Sequence, residues 1–248
     1  MPEDPVHVSD AFAENGLEMI GGVVFRAFHD PAQWDDVLDG SKRTCEALVA
    51  HGAQHLVLID SISPRRAPTA GRALEAKQMD VAEWAAYVTR FREICKMGVD
   101  HGLTVGIHAH AAGFMDFEPE LERLLGEIPE DLLQICFDTG HHSYAGFDPI
   151  AFMKKWISRI SYLHFKDIDP KVKADVIGKR TGFYDACGQG IFCNLGDGDV
   201  DFSAARQLLL DNEFQGWCTV EQDCDPTLDV RPVDDARLNR TYLQSIGF

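Results

Sequence analysis

The sequence predicts an α/β fold built on a parallel sheet, and three observations carry that expectation. Six short apolar runs, rich in β-branched residues, recur along the chain at Leu17–Phe25, His55–Asp60, Leu103–His110, Leu132–Asp138, Ile160–Lys166 and Trp217–Gln222, and their near-continuous apolar character suits strands buried on both faces. Helical patterns separate them. Several of these runs deliver Asp, His, Lys or Glu at their carboxyl ends, the arrangement by which a parallel α/β barrel builds one site from several strands.

The intervening helices have recognisable ends. A first helix is expected from about Pro5 to Asn15, and Gly52 reads as the stop of the next. Asp80 with Glu83 forms a capping-box-like start; Val81, Trp84, Val88, Phe91 and Cys95 follow helical spacing, and Gly102 lies where a stop belongs. Asp148-Pro149 and Asp201 read as two further N-caps. Two connections are long enough to suggest function: Ser61–Met79, with Arg65, Arg66 and Arg72, and the glycine-rich Asp167–Val200. Either suits a lid over a site, or a plain surface loop. The arginines hint at an anionic substrate group, although solvated arginines would look the same. A closed barrel needs eight strands, whereas a doubly wound open sheet accommodates six, and periodicity does not separate the two.

At 248 residues, with no composition shift or linker, residues 1–248 are expected to form one domain. No apolar run reaches the length of a membrane span and Met-Pro-Glu-Asp-Pro lacks the features of a signal peptide, so the expected location is the cytoplasm. Seven scattered cysteines fit reduced thiols rather than a disulfide framework. A formal charge of -17 repels phosphate backbones and anionic lipid, which disfavours nucleic-acid or membrane partners, and it attracts divalent cations.

Asp138 and His141 stand three apart across a Thr-Gly turn in Ile135-Cys-Phe-Asp-Thr-Gly-His-His142, so both can face the mouth of the sheet. Asp138 reads as a metal ligand, with a helix cap as the plain alternative. His141 and His142 cannot point the same way, which makes one of them structural. His164 ends an apolar strand and is followed by Lys166 and Asp167; a core histidine is the plain alternative there. Glu221 ends Trp-Cys-Thr-Val-Glu, and a carboxylate buried there needs a positive partner, most economically a metal. Oxygen-rich Asp/Glu/His sets favour Mn, Co or Mg over a thiolate-loving Zn site. His108-Ala-His110 ends another strand and reads as substrate contact, with a two-histidine metal pair as the lesser reading. No phosphate loop, no G-x-S-x-G and no cysteine in a basic setting supports nucleotide binding or covalent catalysis.

The segments Ile107-His-Ala-His-Ala-Ala-Gly-Phe-Met-Asp116, Phe137-Asp-Thr-Gly-His-His142, Leu163-His-Phe-Lys-Asp167, Gly196-Asp-Gly-Asp-Val-Asp-Phe202 and Gly216-Trp-Cys-Thr-Val-Glu-Gln-Asp223 together resemble the xylose-isomerase-like TIM-barrel superfamily of sugar isomerases and epimerases, and within it the inosose dehydratase branch. The resemblance implies a (β/α)8 barrel with a divalent metal, Mn first and Co, Mg or Zn next, held by Asp116, Asp138, His164 and Glu221. His141 and Lys166 would contact substrate. The family usually has Glu where this chain has Asp116, and the chain starts as if after the family's first two strands. A cut start, closure by a neighbouring subunit and a degenerate open edge are the three readings of that departure.

The resemblance therefore implies a metal-dependent lyase dehydrating a keto-inositol through an enediolate in inositol catabolism, with Glu221 as base and His110, His141 or Lys166 as acid. Isomerisation or epimerisation of a ketose shares that intermediate. The expected partners are a small sugar or cyclitol and further copies of the chain. A reading of another class is a non-catalytic or partner-dependent subunit with an incomplete barrel. The superfamily's apurinic endonucleases need a basic surface, which the charge of -17 opposes.

Overall fold

The computed structural model describes residues 5–223 and 231–248. Helix α1 (Pro5–Glu14) leads into β1 (Gly21–Arg26), α2 (Trp34–Ala50), β2 (His55–Asp60), α3 (Val81–Asp100) and β3 (Thr104–Ile107). Next come α4 (Glu118–Glu127), β4 (Gln134–Asp138), α5 (Thr139–Tyr144), α6 (Pro149–Trp156) and β5 (Ile160–Phe165). The remainder is β6 (Asp167–Ile168), α7 (Pro170–Gly178), α8 (Phe183–Gly188), β7 (Phe192–Cys193), α9 (Phe202–Asp211), β8 (Trp217–Val220) and α10 (Pro232–Ser245).

Six strands form one parallel sheet in the order β1-β2-β3-β4-β5-β8. The order runs sequentially with no reversal, which excludes the doubly wound alternative and matches a curled, incomplete barrel. Side chains alternate across it with period 2. Leu56 and Leu58 of β2, Ile135 and Phe137 of β4, and Leu163 and Phe165 of β5 enter the large core under the helices, while Val57, Ile59, Cys136 and Tyr162 pack together on the inner face. Strand cores follow the apolar runs, and the polar ends of two of them lie beyond the ladder: β3 stops at Ile107 and β8 at Val220.

The expected caps are present. Asp80 accepts from the Ala82 and Glu83 amides, both at 2.8 Å, and Glu83 accepts from the Asp80 amide at 2.9 Å. Asp148 and Asp201 cap α6 and α9 with their side chains. Gly52 and Gly102, with φ of +72° and +78°, follow α2 and α3. The six cysteines among the described residues are free; Cys224 lies outside them. No described helix is long and apolar enough to cross a membrane.

Both long connections are ordered by internal polar contacts. Asp167–Val200 is no bare loop: it holds α7, α8 and the antiparallel β6–β7 ribbon. Asp167, fully buried, anchors it by accepting from the amides of Ile168, Gly196, Gly198 and Val200 at 2.9–3.1 Å. A Cβ on Gly198 would come within 2.2 Å of the Asp167 carboxylate, so only glycine fits. In Ser61–Met79 the arginines bind protein, which overturns the hint of an anionic substrate group. Arg65 pairs with Glu83, Arg72 with Glu75, and Arg66 is 1% exposed in a bidentate pair with Glu120 at 2.7 and 3.0 Å. Its guanidinium also lies 5.2 and 4.9 Å from the Phe114 and Phe117 rings. Removing one partner leaves a buried charge unpaired, so Arg66→Met is expected to lower the unfolding free energy by about 3–5 kcal/mol, with most of it recovered in Arg66→Met/Glu120→Leu, as measured by urea denaturation.

Candidate metal centre

The inner face gathers its acids, its lysine and three of its histidines toward the carboxyl ends of the strands, and the alternation decides which. Asp138 follows inward Cys136 at the end of β4; His164 and then Lys166 follow inward Tyr162 on β5; Glu221 lies two beyond Thr219 on β8. His108 lies two beyond Gly106 on β3, where a Cβ would meet the Cys136 amide at 3.0 Å, so the glycine lets neighbouring strands close up beneath it. Ladder bonds fix the heights: the His108 amide donates to Leu58 O, the Glu221 amide donates to Phe165 O, and Asp138 is the register partner of His164.

These strand ends bring one donor atom each from His108, Asp138, His164 and Glu221 within 4.8 Å of one another. His108 Nε2 lies 3.7 Å from Asp138 Oδ2 and 3.6 Å from Glu221 Oε2, and His164 Nδ1 contacts Glu221 Oε2. All four of these atoms are buried and have no hydrogen-bond partner. Buried polar atoms are rarely left so. Two carboxylates and two imidazoles converging on one point fit a divalent metal, which would take the place of the His108 proton. Asp138 Oδ1 meanwhile accepts from the His141 amide at 2.7 Å, which aims Oδ2 at the group.

Beside the four lies a buried ammonium. Lys166 Nζ is 3.3 Å from Glu221 Oε1, 3.9 Å from Asp138 Oδ2, 2.9 Å from Asp223 Oδ2 and 3.0 Å from His141 Nε2. Phe192 of the ribbon lies 4.9 Å from it, and a Cβ on Gly140 would come within 2.5 Å of the lysine side chain. His110 stacks 4.0 Å from His141; its Nδ1 donates to Ala111 O, which turns Nε2 toward the pocket, between Phe25 and Phe183. His110, His141 and Asp223 also converge, but the lysine ammonium occupies their common neighbourhood.

The electrostatics follow from burial opposed by neighbours. Burial opposes protonation of His108, and the facing carboxylates outweigh it, raising its pKa to about 9. Burial opposes ionisation of Asp138 and Glu221, yet Lys166 and His108 hold the first below the usual range, and His108, His164 and Lys166 hold the second far below it. Burial also disfavours the Lys166 charge, and Asp138, Glu221 and Asp223 more than restore it. His110 is pushed down to about 4, and His141 well below its ordinary value, by burial and by the positive groups around them.

Residues 2–246 match the family model described as xylose isomerase-like TIM barrel. The chain belongs to that family. An inosose dehydratase of Clostridium botulinum (strain Alaska E43 / Type E3) is 29% identical over 162 residues, covering 65% of this chain and 54% of the relative, so the chain spans about half the length of that protein. An inosose dehydratase of Geobacillus kaustophilus (strain HTA426) is 24% identical over 249 residues, covering 98% of this chain and 80% of the relative. Among solved structures, the IolI protein with a binding zinc atom superposes with a TM-score of 0.73 at 12% identity, over 99% of this chain and 82% of that one, which establishes the shared fold.

Of the residues the family resemblance implies as ligands, the structure gathers Asp138, His164 and Glu221 and does not bring Asp116 to them. Asp116 Oδ2 accepts from the Ala112 amide at 3.0 Å, and its own amide donates to Glu120, so the residue closes the turn after β3 beside the Arg66–Glu120 pair. His108 stands in the fourth place instead. His141 and Lys166 adjoin the group as expected. His142 is the structural member of its pair, turned onto Phe137 and Phe152. Asp223 was not singled out by the sequence; its spacing of two from Glu221 is the available signal.

Burial pushes the Asp116 pKa up to about 7. A raised carboxyl pKa means that the folded state keeps a proton which the unfolded state releases, so stability falls as pH rises from about 4 to 7. Metal-stripped wild type is therefore expected to lose up to about 4 kcal/mol across that range through this group, and Asp116→Asn to remove that part of the slope, as read by urea denaturation at stepped pH.

Proposed function

We propose that this chain is a metal-dependent carbon–oxygen lyase that removes water from a cyclic polyol ketone, with a keto-inositol as the specific substrate. The observation that carries this reading is the set of four buried, unpartnered donor atoms of His108, Asp138, His164 and Glu221 beside a buried lysine–histidine pair. The likeness to inosose dehydratases supports the choice of substrate. The acidic surface, with its charge of -17, suits an uncharged polyol better than a phosphorylated one.

A divalent metal bound here would polarise a ketone and its neighbouring hydroxyl and so acidify the proton beside the carbonyl. Manganese is the first choice, with zinc, cobalt or magnesium as alternatives. Glu221 presents two differently engaged oxygens, Oε2 toward the metal group and Oε1 toward Lys166. It is the candidate general base for the carbon-bound proton. Lys166, kept cationic by three carboxylates, directs its ammonium where the departing hydroxyl gathers negative charge. Lys166 is thus the acid of the set, while His141, whose Nε2 accepts from Lys166, and His110, whose unprotonated Nε2 is free to accept, complete the polar wall. Phe25, Phe183 and Phe192 surround these histidines with apolar surface that excludes water and suits the C–H faces of a ring.

Metal-stripped protein reconstituted with Mn is expected to convert a keto-inositol to the dehydrated diketone, read by ultraviolet absorbance, and Glu221→Gln to lose at least about a hundredfold in rate. Metal retention with no inosose turnover, and turnover of a ketose in its place, would reassign the chain to sugar isomerisation or epimerisation. Metal retention with neither activity would favour the partner-dependent subunit.

A further inference from the structure

We infer that Lys166 is a built-in competitor for the metal group, and that Asp223 is the positioning residue that draws its ammonium aside so that a divalent cation can enter. The inference rests on the metal reading of His108, Asp138, His164 and Glu221 and adds what governs occupancy of that site.

Two of the four donor residues are carboxylates, and the same two face Lys166. Its Nζ lies 3.3 Å from Glu221 and 3.9 Å from Asp138, and unlike the imidazoles of the group it has no lone pair to offer a metal while it stays protonated. An entering cation therefore meets a like charge across two shared carboxylates, at a depth where water screens little. The ammonium cannot swing out to solvent. Lys166 is fully buried, its stem is backed by Gly140, and Phe192 lies 4.9 Å from Nζ. Its only freedom is to choose among its acceptors.

Asp223 biases that choice. Of the three carboxylates it makes the shortest contact, 2.9 Å, and it contributes no donor atom to the four-residue group. His141 Nε2, at 3.0 Å, lies on the same side. With Asp223 present, Lys166 has a carboxylate of its own; without it, the ammonium must be neutralised by Asp138 and Glu221 alone, the acids a metal requires. Asp223 thus acts on the metal through Lys166, and this coupling separates it from an acid that merely adds negative field.

The test is Co2+ titration of the metal-stripped full chain, followed by visible absorbance, which reports both affinity and ligand field. Relative to wild type, Lys166→Met is expected to tighten Co2+ binding by about tenfold or more and Asp223→Asn to weaken it by about tenfold, while Asp223→Glu restores it. In the Lys166→Met background, Asp223→Asn should change the affinity by less than about threefold, because its route of action is gone. The band shape should be unchanged throughout, since neither residue supplies a ligand. Lys166→Gln takes the place of Lys166→Met if the latter does not fold. Wild type that binds no Co2+ would overturn the metal reading itself. Binding that Lys166→Met leaves unchanged or weakens would overturn only the competitor role. An equal loss from Asp223→Asn in both backgrounds, or an altered band shape, would overturn the positioning role by making Asp223 a field charge or a ligand.

Discussion

Charge buried on the inner face of the sheet is the constraint around which this structure is arranged. Asp138, Lys166 and His108 are each no more than 2% exposed, and Glu221 joins them from β8. Any one of these groups, alone at that depth, would cost several kcal/mol in lost hydration. Together they offset one another, but not fully: the lysine satisfies the outer oxygen of Glu221 while the oxygens facing His108 and His164 remain unpartnered. The imbalance is local, and it is what distinguishes a binding site from a stable internal salt bridge. A core ion-pair network would have closed every contact.

Holding that imbalance requires the surroundings to be rigid, and the polar devices elsewhere in the chain serve this end. Asp167 directly follows Lys166 and turns the opposite way, into four backbone amides of the Asp167–Val200 segment. One residue therefore faces the site while its neighbour pins the wall over it. That pin places Phe192 near Lys166 and, through α8, Phe183 near His110 and His141. On the other side, the Arg66–Glu120 pair ties the Ser61–Met79 connection to the start of α4, where Glu120 also accepts the amides of Asp116 and Phe117. Asp116 is thereby fixed as part of the turn after β3.

This division explains what could be read from the chain. Strand positions, helix caps and the inward aim of Asp138, His164, Lys166 and Glu221 were legible because each depends on local chemistry: apolar runs, Asx caps and a period of 2. His108 was visible as a strand-end histidine, and counting from Gly106 in steps of two places it on the inner face. Its part in the four-residue group was obscured because it depends on the close approach of β3 to β4, and that approach requires the absent side chain at Gly106. Asp116 and Arg66 were misread for a common reason. Both lie in connections; Arg66 finds its partner Glu120 54 residues away, and Asp116 is held by Ala112 and Glu120 four residues to either side, in a turn with no periodic pattern. Nothing periodic in a connection marks a charged residue as buried. Asp223 was missed because its partner, Lys166, is likewise 57 residues distant.

The order of strands also separates holding a metal from enclosing a substrate. His108, Asp138, His164 and Glu221 lie at the carboxyl ends of β3, β4, β5 and β8, which are contiguous in the sheet, so each neighbouring pair in the group is spaced by an existing hydrogen-bonded ladder. Among the described residues, β1 and β8 each pair on one side only, and Val23, Phe25 and Trp217 are 48%, 38% and 46% exposed. Whatever covers those edges adds nothing to the ladders that space the four donor residues. It bears instead on the wall near Phe25, which stacks 5.2 Å from His110. The convergence of the four donor atoms is therefore a property of the contiguous strands, whereas the covering of the pocket beside His110 depends on the less covered side of the sheet.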